Sequence, residues 1–230
     1  LRQINPQVEV RAVAQQLESM DRTELIDLLT RADVVVGAVD SNPANALLCH
    51  LAYFSGTPAM HIGVWNKGSG GEVVISVPGH ACYLCATAVR HQIDSIVEGI
   101  VPETDYGLGR TMAVNALIAD IHHVASLGTK LAIGALATGG ESPARQLLDR
   151  ALDRGGTVAV IGSDLDYWAF PVLLDGVAGQ LAFQSVWTGV ERQADCAVCG
   201  DEAMRSDPNT APSLLSPDRL RQASEAHDGP

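Results

Sequence analysis

The sequence contains few aromatic residues and few positive charges, and both shortages restrict what the chain can do. Aromatic residues make up 4% of the 230 positions, so a core must be built mainly from Ala, Val, Leu and Ile. The 15 Lys and Arg residues stand against 27 Asp and Glu, which gives a net charge of -12. Because a phosphate backbone requires a basic face, nucleic acid is not expected as a partner.

Several motifs and segment types are also missing. There is no run of about eighteen apolar residues and no signal peptide, so we expect no membrane span and a cytoplasmic location. The sequence has no Gly-x-Gly-x-x-Gly fingerprint, no Walker-type lysine loop and no nucleophile elbow. The chain opens at Leu1 in a pattern typical of the end of a helix, so we expect a further segment before it.

The apolar residues that are present, 47% of the chain, indicate a globular protein. Strand and helix patterns alternate from residue 8 to residue 64, which predicts a parallel sheet with crossover helices. We expect one domain over residues 1–204 and a weakly ordered tail over 205–230, where Pro, Ser, Asp and Ala dominate. Strands are predicted at residues 8–13, 34–39, 58–64, 72–77, 157–161 and 181–190, and helices at 23–30, 43–54, 110–136 and 142–154.

Four of the five cysteines form two Cys-x-x-Cys pairs, Cys82 with Cys85 and Cys196 with Cys199. Two thiolates at this spacing reach one tetrahedral ion, and two such pairs complete a closed four-sulfur zinc site. Each pair follows a predicted strand, so a zinc ion would staple two distant segments. Redox-active cysteines are the alternative interpretation. Cys49 lies in an apolar helical run and is interpreted as a small buried hydrophobic residue.

The buried strand Val34–Val39 ends on a carboxylate, Asp40, and a helix start follows it. In open parallel sheets, ligands bind just beyond the carboxyl ends of the strands. Together with Ser41, Asn42 and Asn45, Asp40 is therefore a candidate contact for magnesium on the phosphates of a nucleotide. The alternative is that Asp40 only caps the helix.

Weaker signals come from one arginine and two histidines. Arg110 follows the glycine-containing segment 105–109 and either neutralises an anion or lies on the surface at a helix start. His50 and His61 stand alone in apolar runs and are interpreted as core or interface residues.

The order of these features resembles the ThiF/MoeB/HesA family, the bacterial relatives of ubiquitin-activating enzymes. The resemblance covers about residues 1–200, and the double cysteine pair is its most specific part. The matching segments are Ile4-Asn5-Pro6, DVVVGAVD, PAMHIGV, GGEVVISVPG, CYLC and CAVCG.

The resemblance implies a doubly wound, mostly parallel, Rossmann-like α/β fold with zinc on the four paired cysteines, usually in a homodimer. It also implies a reaction, in which ATP adenylates the C-terminal glycine of a ubiquitin-like or sulfur-carrier protein and pyrophosphate leaves. Asp40 matches the strand-end aspartate of the family, which contacts magnesium and phosphates.

Three departures from the family pattern shape the prediction. The phosphate-binding glycine motif, the ribose-binding acid and the early basic residues of the family lie before Asn5-Pro6 and are not in this sequence. Ser41 and Asn45 stand where the family often has Asn and Arg. Residues 91–109 contain no cysteine, so we expect adenylation without a stable enzyme thioester.

A second hypothesis belongs to another class. The chain would be a zinc-containing scaffold or binding module that recognises a ubiquitin-like tail without catalysis. A dehydrogenase-like protein fits poorly, because the dinucleotide fingerprint is absent.

Overall fold

A five-stranded sheet organises the part of the chain that the computed structural model describes, which is residues 1–39, 41–65, 68–87, 116–165, 167, 169–170 and 183–210. The strands lie side by side in the order in which they occur along the chain. They are β1 (Val35–Gly37), β2 (Ala59–Trp65), β3 (Gly70–Ser76), β4 (Val158–Gly162) and β5 (Gln184–Thr188).

Among the described residues, four helices with defined bounds accompany these strands, and the local sequence explains where two of them begin. The side chain of Asp21 accepts a hydrogen bond from the Glu24 amide at the start of the first helix. Ser41 caps the second helix in the same way, with proline in its first turn. The helices are α1 (Arg22–Thr30), α2 (Asn42–Phe54), α3 (Ile118–Leu136) and α4 (Pro143–Asp153), and residues 83–87 are also helical.

The sheet is mixed. β1 pairs with β2 in parallel, whereas β2/β3, β3/β4 and β4/β5 are antiparallel. The expectation of a mostly parallel sheet therefore holds for β1/β2 and not for the other described pairs. For β2 and β3 the reason is the connection, because residues 66–69 are too few to form a parallel crossover.

Both faces of the sheet are covered, which confirms the α/β class. On one face, Met60 and Val73 pack with Leu131 of α3 and Leu148 of α4. On the other face, Val74 packs with residues of α2 and with the paired cysteines. Neighbouring residues of β3 thus enter opposite cores, which is why this strand reads as a continuous apolar run.

One strand expected from the sequence is wrong. Residues 8–13 alternate in polarity but form no strand, and most of their side chains are exposed. Alternation alone does not order a strand, which requires a neighbouring strand to satisfy its hydrogen bonds, and no described strand lies beside this segment. The expected helix residues 110–115 lie outside the described residues.

No described helix has both the length and the apolar character needed to cross a lipid bilayer.

Candidate functional site

The four paired cysteines meet in one buried cluster. The Sγ atoms of Cys82 and Cys196 are 3.7 Å apart, those of Cys85 and Cys199 are 3.4 Å apart, and all four lie within 4.8 Å of one another. A tetrahedral zinc ion with Zn–S bonds of about 2.3 Å places its sulfurs about 3.8 Å apart. The observed arrangement therefore fits a four-thiolate metal centre, which we call the cysteine cluster.

Tight backbone packing shapes the second half of the cysteine cluster. The amide of Gly200 donates to the Cys196 carbonyl at 2.9 Å. A Cβ at position 200 would lie 2.6 Å from the Ala194 carbonyl oxygen, so only glycine fits this turn. Arg192 reaches over the turn, donating to the Cys199 carbonyl at 2.8 Å and pairing with Asp201 at 3.0 Å. These contacts hold Cys196 and Cys199 in the position where they meet Cys82 and Cys85.

The thiols of the cysteine cluster favour charge on Cys196. Hydrogen bonds from Cys199, and then from Cys82 and Cys85, hold the pKa of Cys196 well below its usual value despite its burial. Contact with Cys196 in turn raises the pKa of Cys199. Because the thiolate is the form that binds a metal ion, the cluster is chemically suited to one.

Cys49 is not one of the four clustered cysteines, as the sequence suggested. It is fully buried in α2, and its Sγ is 3.8 Å from Ser76 Oγ. Burial raises the pKa of this thiol, but the neighbouring Cys82 and His61 outweigh that effect, so its pKa is lowered. Cys49 is therefore a buried neighbour of the cluster.

The nucleotide site was expected around Asp40, after the end of β1. Asp40 itself and Arg110 lie outside the described residues, but the residues on both sides of Asp40 are described. Ser41 accepts from the Ala44 amide and donates to Glu18 Oε1 at 3.1 Å. Asn42 Oδ1 accepts from the Tyr83 hydroxyl at 3.1 Å. These two candidate site residues thus have contacts within the protein.

Asn45, the last of the candidates, is buried. Its Nδ2 donates to the Val39 carbonyl at 3.2 Å, and its Oδ1 lies 3.2 Å from His61 Nδ1. The amide of Asn45 therefore braces the backbone immediately before Asp40 from inside the core.

Sequence reasoning missed the contacts of Tyr83 and His61, whose rings lie 4.6 Å apart. The sequence offered one signal of these contacts, which was the position of Tyr83 between Cys82 and Cys85. His61 was correctly interpreted as a core residue, since it is 1% exposed.

Fold and cluster together define a Rossmann-like α/β protein with a candidate four-thiolate metal centre. The ThiF family matches residues 1–205. The chain therefore belongs to the ThiF family, an adenylyltransferase-like family, and this confirms the resemblance seen in the sequence.

Solved structures similar to the chain include several of E. coli MccB. One of MccB alone has a TM-score of 0.51 and 16% identity, and the match covers 90% of this chain and 49% of that one. Another, of MccB with ATP, has a TM-score of 0.45 and 18% identity, with 86% and 48% covered. The chain thus spans about half the length of these proteins, and the likeness to MccB alone supports the Rossmann-like fold. A search of curated proteins finds no match.

Proposed function

We propose that this chain is part of an adenylyltransferase that activates the C-terminal glycine of a ubiquitin-like or sulfur-carrier protein with ATP. Membership of the ThiF family over residues 1–205 is the observation that carries the proposal. The carboxylate attacks the α-phosphorus, an acyl-adenylate forms and pyrophosphate leaves. Since residues 91–109 contain no cysteine, the acyl group would pass directly to a separate carrier or acceptor.

Asp40 would be the residue closest to the chemistry. It comes three positions after Gly37, the last residue of β1, and thus beyond the carboxyl end of a strand, where nucleotide phosphates bind in α/β folds. Magnesium held there would neutralise charge on the phosphates. Ser41, Asn42 and Asn45 would shape the loop around Asp40, and Arg110 would supply positive charge.

The cysteine cluster would hold a structural zinc ion. Four thiolates fill the coordination of zinc and leave no position for a substrate, so the ion would act on stability and not in catalysis. We further propose a cytoplasmic homodimer, with residues 1–204 as the family domain and 205–230 as a separate tail.

An ATP–pyrophosphate exchange assay tests the activity, using the full-length protein that contains this chain together with its ubiquitin-like partner. We expect ATP-dependent exchange in the wild type and a loss of at least about a hundredfold in Asp40→Ala, since such a contact acts on transition-state charge.

Asp33→Ala is the matched control, because Asp33 is an exposed aspartate just before the amino end of β1, away from Asp40 in sequence. It should retain wild-type exchange. Absence of exchange in the wild type, or equal rates in the two variants, would contradict the proposed activity.

The alternative, a zinc-containing scaffold that binds a ubiquitin-like tail without catalysis, is favoured by one observation. Ser41 and Asn45 both make hydrogen bonds inside the protein. Calorimetry with MgATP on this chain discriminates between the two functions, because a pure scaffold would release no heat of nucleotide binding.

A further inference from the structure

Tyr83 links the cysteine cluster to the beginning of α2. It lies between Cys82 and Cys85, and its backbone amide donates to Ser76 Oγ of β3 at 3.0 Å. Its hydroxyl donates to Asn42 Oδ1 at 3.1 Å, across 41 positions of sequence. Tyr83, which lies between two cysteines of the cluster, therefore contacts Asn42, the first residue of α2, two positions after Asp40.

A second set of contacts reaches the other side of Asp40. The His61 ring of β2 packs against the Tyr83 ring, with the ring planes inclined at 36°. Because the Asn45 amide nitrogen donates to the Val39 carbonyl, its Oδ1 must be the acceptor for His61, so His61 carries its proton on Nδ1. A series of contacts thus runs from Tyr83 through His61 and Asn45 to Val39, the residue before Asp40.

Strand β1 lies directly against this second set of contacts. A Cβ at Gly37 would be 2.8 Å from both Asn45 Oδ1 and His61 Nδ1. No side chain fits between the strand and the pair unless one of them moves. Glycine at position 37 therefore lets the backbone before Asp40 pack directly against the hydrogen-bonded side chains of His61 and Asn45.

We propose that Tyr83 and His61 are positioning residues that connect the cysteine cluster to both sides of Asp40. Tyr83 holds Asn42 on one side, and His61 holds Val39 through Asn45 on the other. The role of Asp40 as a phosphate and magnesium contact rests on the proposed function. The cysteine cluster would then maintain the geometry of the strand end in addition to stabilising the fold.

Hydrogen–deuterium exchange on the zinc-loaded protein tests this coupling without relying on activity. In Tyr83→Phe, peptides covering residues 38–45 should exchange about five- to tenfold faster, the factor expected for one lost hydrogen bond. Peptides of β4 should be unchanged, and metal analysis should still give about one zinc ion per chain.

Tyr53→Phe is the matched control. The Tyr53 hydroxyl also lies near the cysteine cluster, where it accepts from the Gly79 amide at 2.9 Å, but no described contact leads from it to the strand end. Exchange at residues 38–45 should therefore stay at the wild-type rate. Unchanged exchange in Tyr83→Phe, or equal acceleration in both variants, would overturn the proposal.

If Tyr83→Phe loses zinc, Asn45→Ala replaces it, because Asn45 is not one of the cluster residues. Faster exchange at residues 38–41 with zinc retained supports the coupling, and wild-type exchange overturns it.

Pyrophosphate exchange separates this proposal from the activity itself. If the wild-type protein is active, Tyr83→Phe should raise the magnesium concentration for half-maximal rate about five- to tenfold, while Tyr53→Phe should not. If the wild type is inactive, the proposed function fails, and hydrogen exchange alone still decides whether the coupling exists.

Discussion

His50 shows how a single buried residue anchors a distant segment. Its Nε2–H donates to the Ser206 carbonyl at 3.1 Å, across 156 positions of sequence. Burial lowers the pKa of His50, and Arg22 adds to this effect, while Ser206, Cys49 and Asp207 partly oppose it. The native protein therefore disfavours a charge on this imidazole.

Stability should consequently decline in mildly acid solution. A histidine whose pKa is lowered by folding binds protons more readily when unfolded, so the free energy of unfolding falls as pH drops below about 6.5. For one group the slope reaches at most about 1.4 kcal/mol per pH unit. We expect His50→Gln, measured by urea unfolding between pH 7.5 and 5.5, to lose less stability than the wild type across this range.

His122→Gln controls for the removal of an imidazole, because His122 is exposed on α3. Its stability should follow pH as the wild type does. Parallel curves for His50→Gln and the wild type would show that His50 does not contribute.

At the scale of elements, glycines set how closely α3 can pack. A Cβ at Gly134 would lie 2.5 Å from the Ala144 carbonyl oxygen of α4, and a Cβ at Gly128 would clash with Ile62 of β2. Gly128 therefore lies against the sheet, and the close helix–helix contact is at Gly134.

Gly134→Ala should therefore destabilise the protein although alanine favours helix. The clash involves backbone of α4, so the helices must move apart, and overpacking of this kind costs about 1–3 kcal/mol. Urea unfolding measures the difference.

Gly139→Ala makes the same substitution just beyond α3, where a Cβ meets nothing within 4 Å. It should leave the free energy of unfolding within about 0.5 kcal/mol of the wild type. A smaller loss in Gly134→Ala than in Gly139→Ala would contradict the packing argument.

At the scale of the whole molecule, the cysteine cluster joins segments that lie 114 positions apart in sequence. One pair follows β3, the other follows β5, and both pack with α2 residues in the same core. Metal binding at such a site is coupled to folding, because the unfolded chain does not hold the four thiolates together.

Cys196→Ser should therefore lose the zinc ion and lower the free energy of unfolding by on the order of 4 kcal/mol or more. Metal analysis and thermal unfolding of the purified chain provide the two measurements.

Cys49→Ser is the matched control, since Cys49 is equally buried but is not one of the four clustered ligands. It should retain about one zinc ion per chain. A metal-free Cys196→Ser protein with wild-type stability would refute the structural role of the ion.

The sequence by itself determined the elements whose signals are local. The helix start after Asp40 and the apolar runs of α2 and β3 predicted elements within a few residues of their observed bounds. The two Cys-x-x-Cys pairs likewise predicted one cluster, because the spacing within each pair already carries the geometry of a metal site. ThiF family membership followed from the order of these local features.

Tertiary structure alone decided what depends on partners far apart in the chain. Residues 8–13 have a strand pattern but no described neighbour, and β3 to β5 pair antiparallel because strand direction depends on how the chain returns to the sheet. The contacts of Asn45 with His61, and of Tyr83 with Asn42, bring together residues 16 and 41 positions apart. Hydrogen bonds over such separations form only after the core has packed, so no local pattern in the sequence encodes them.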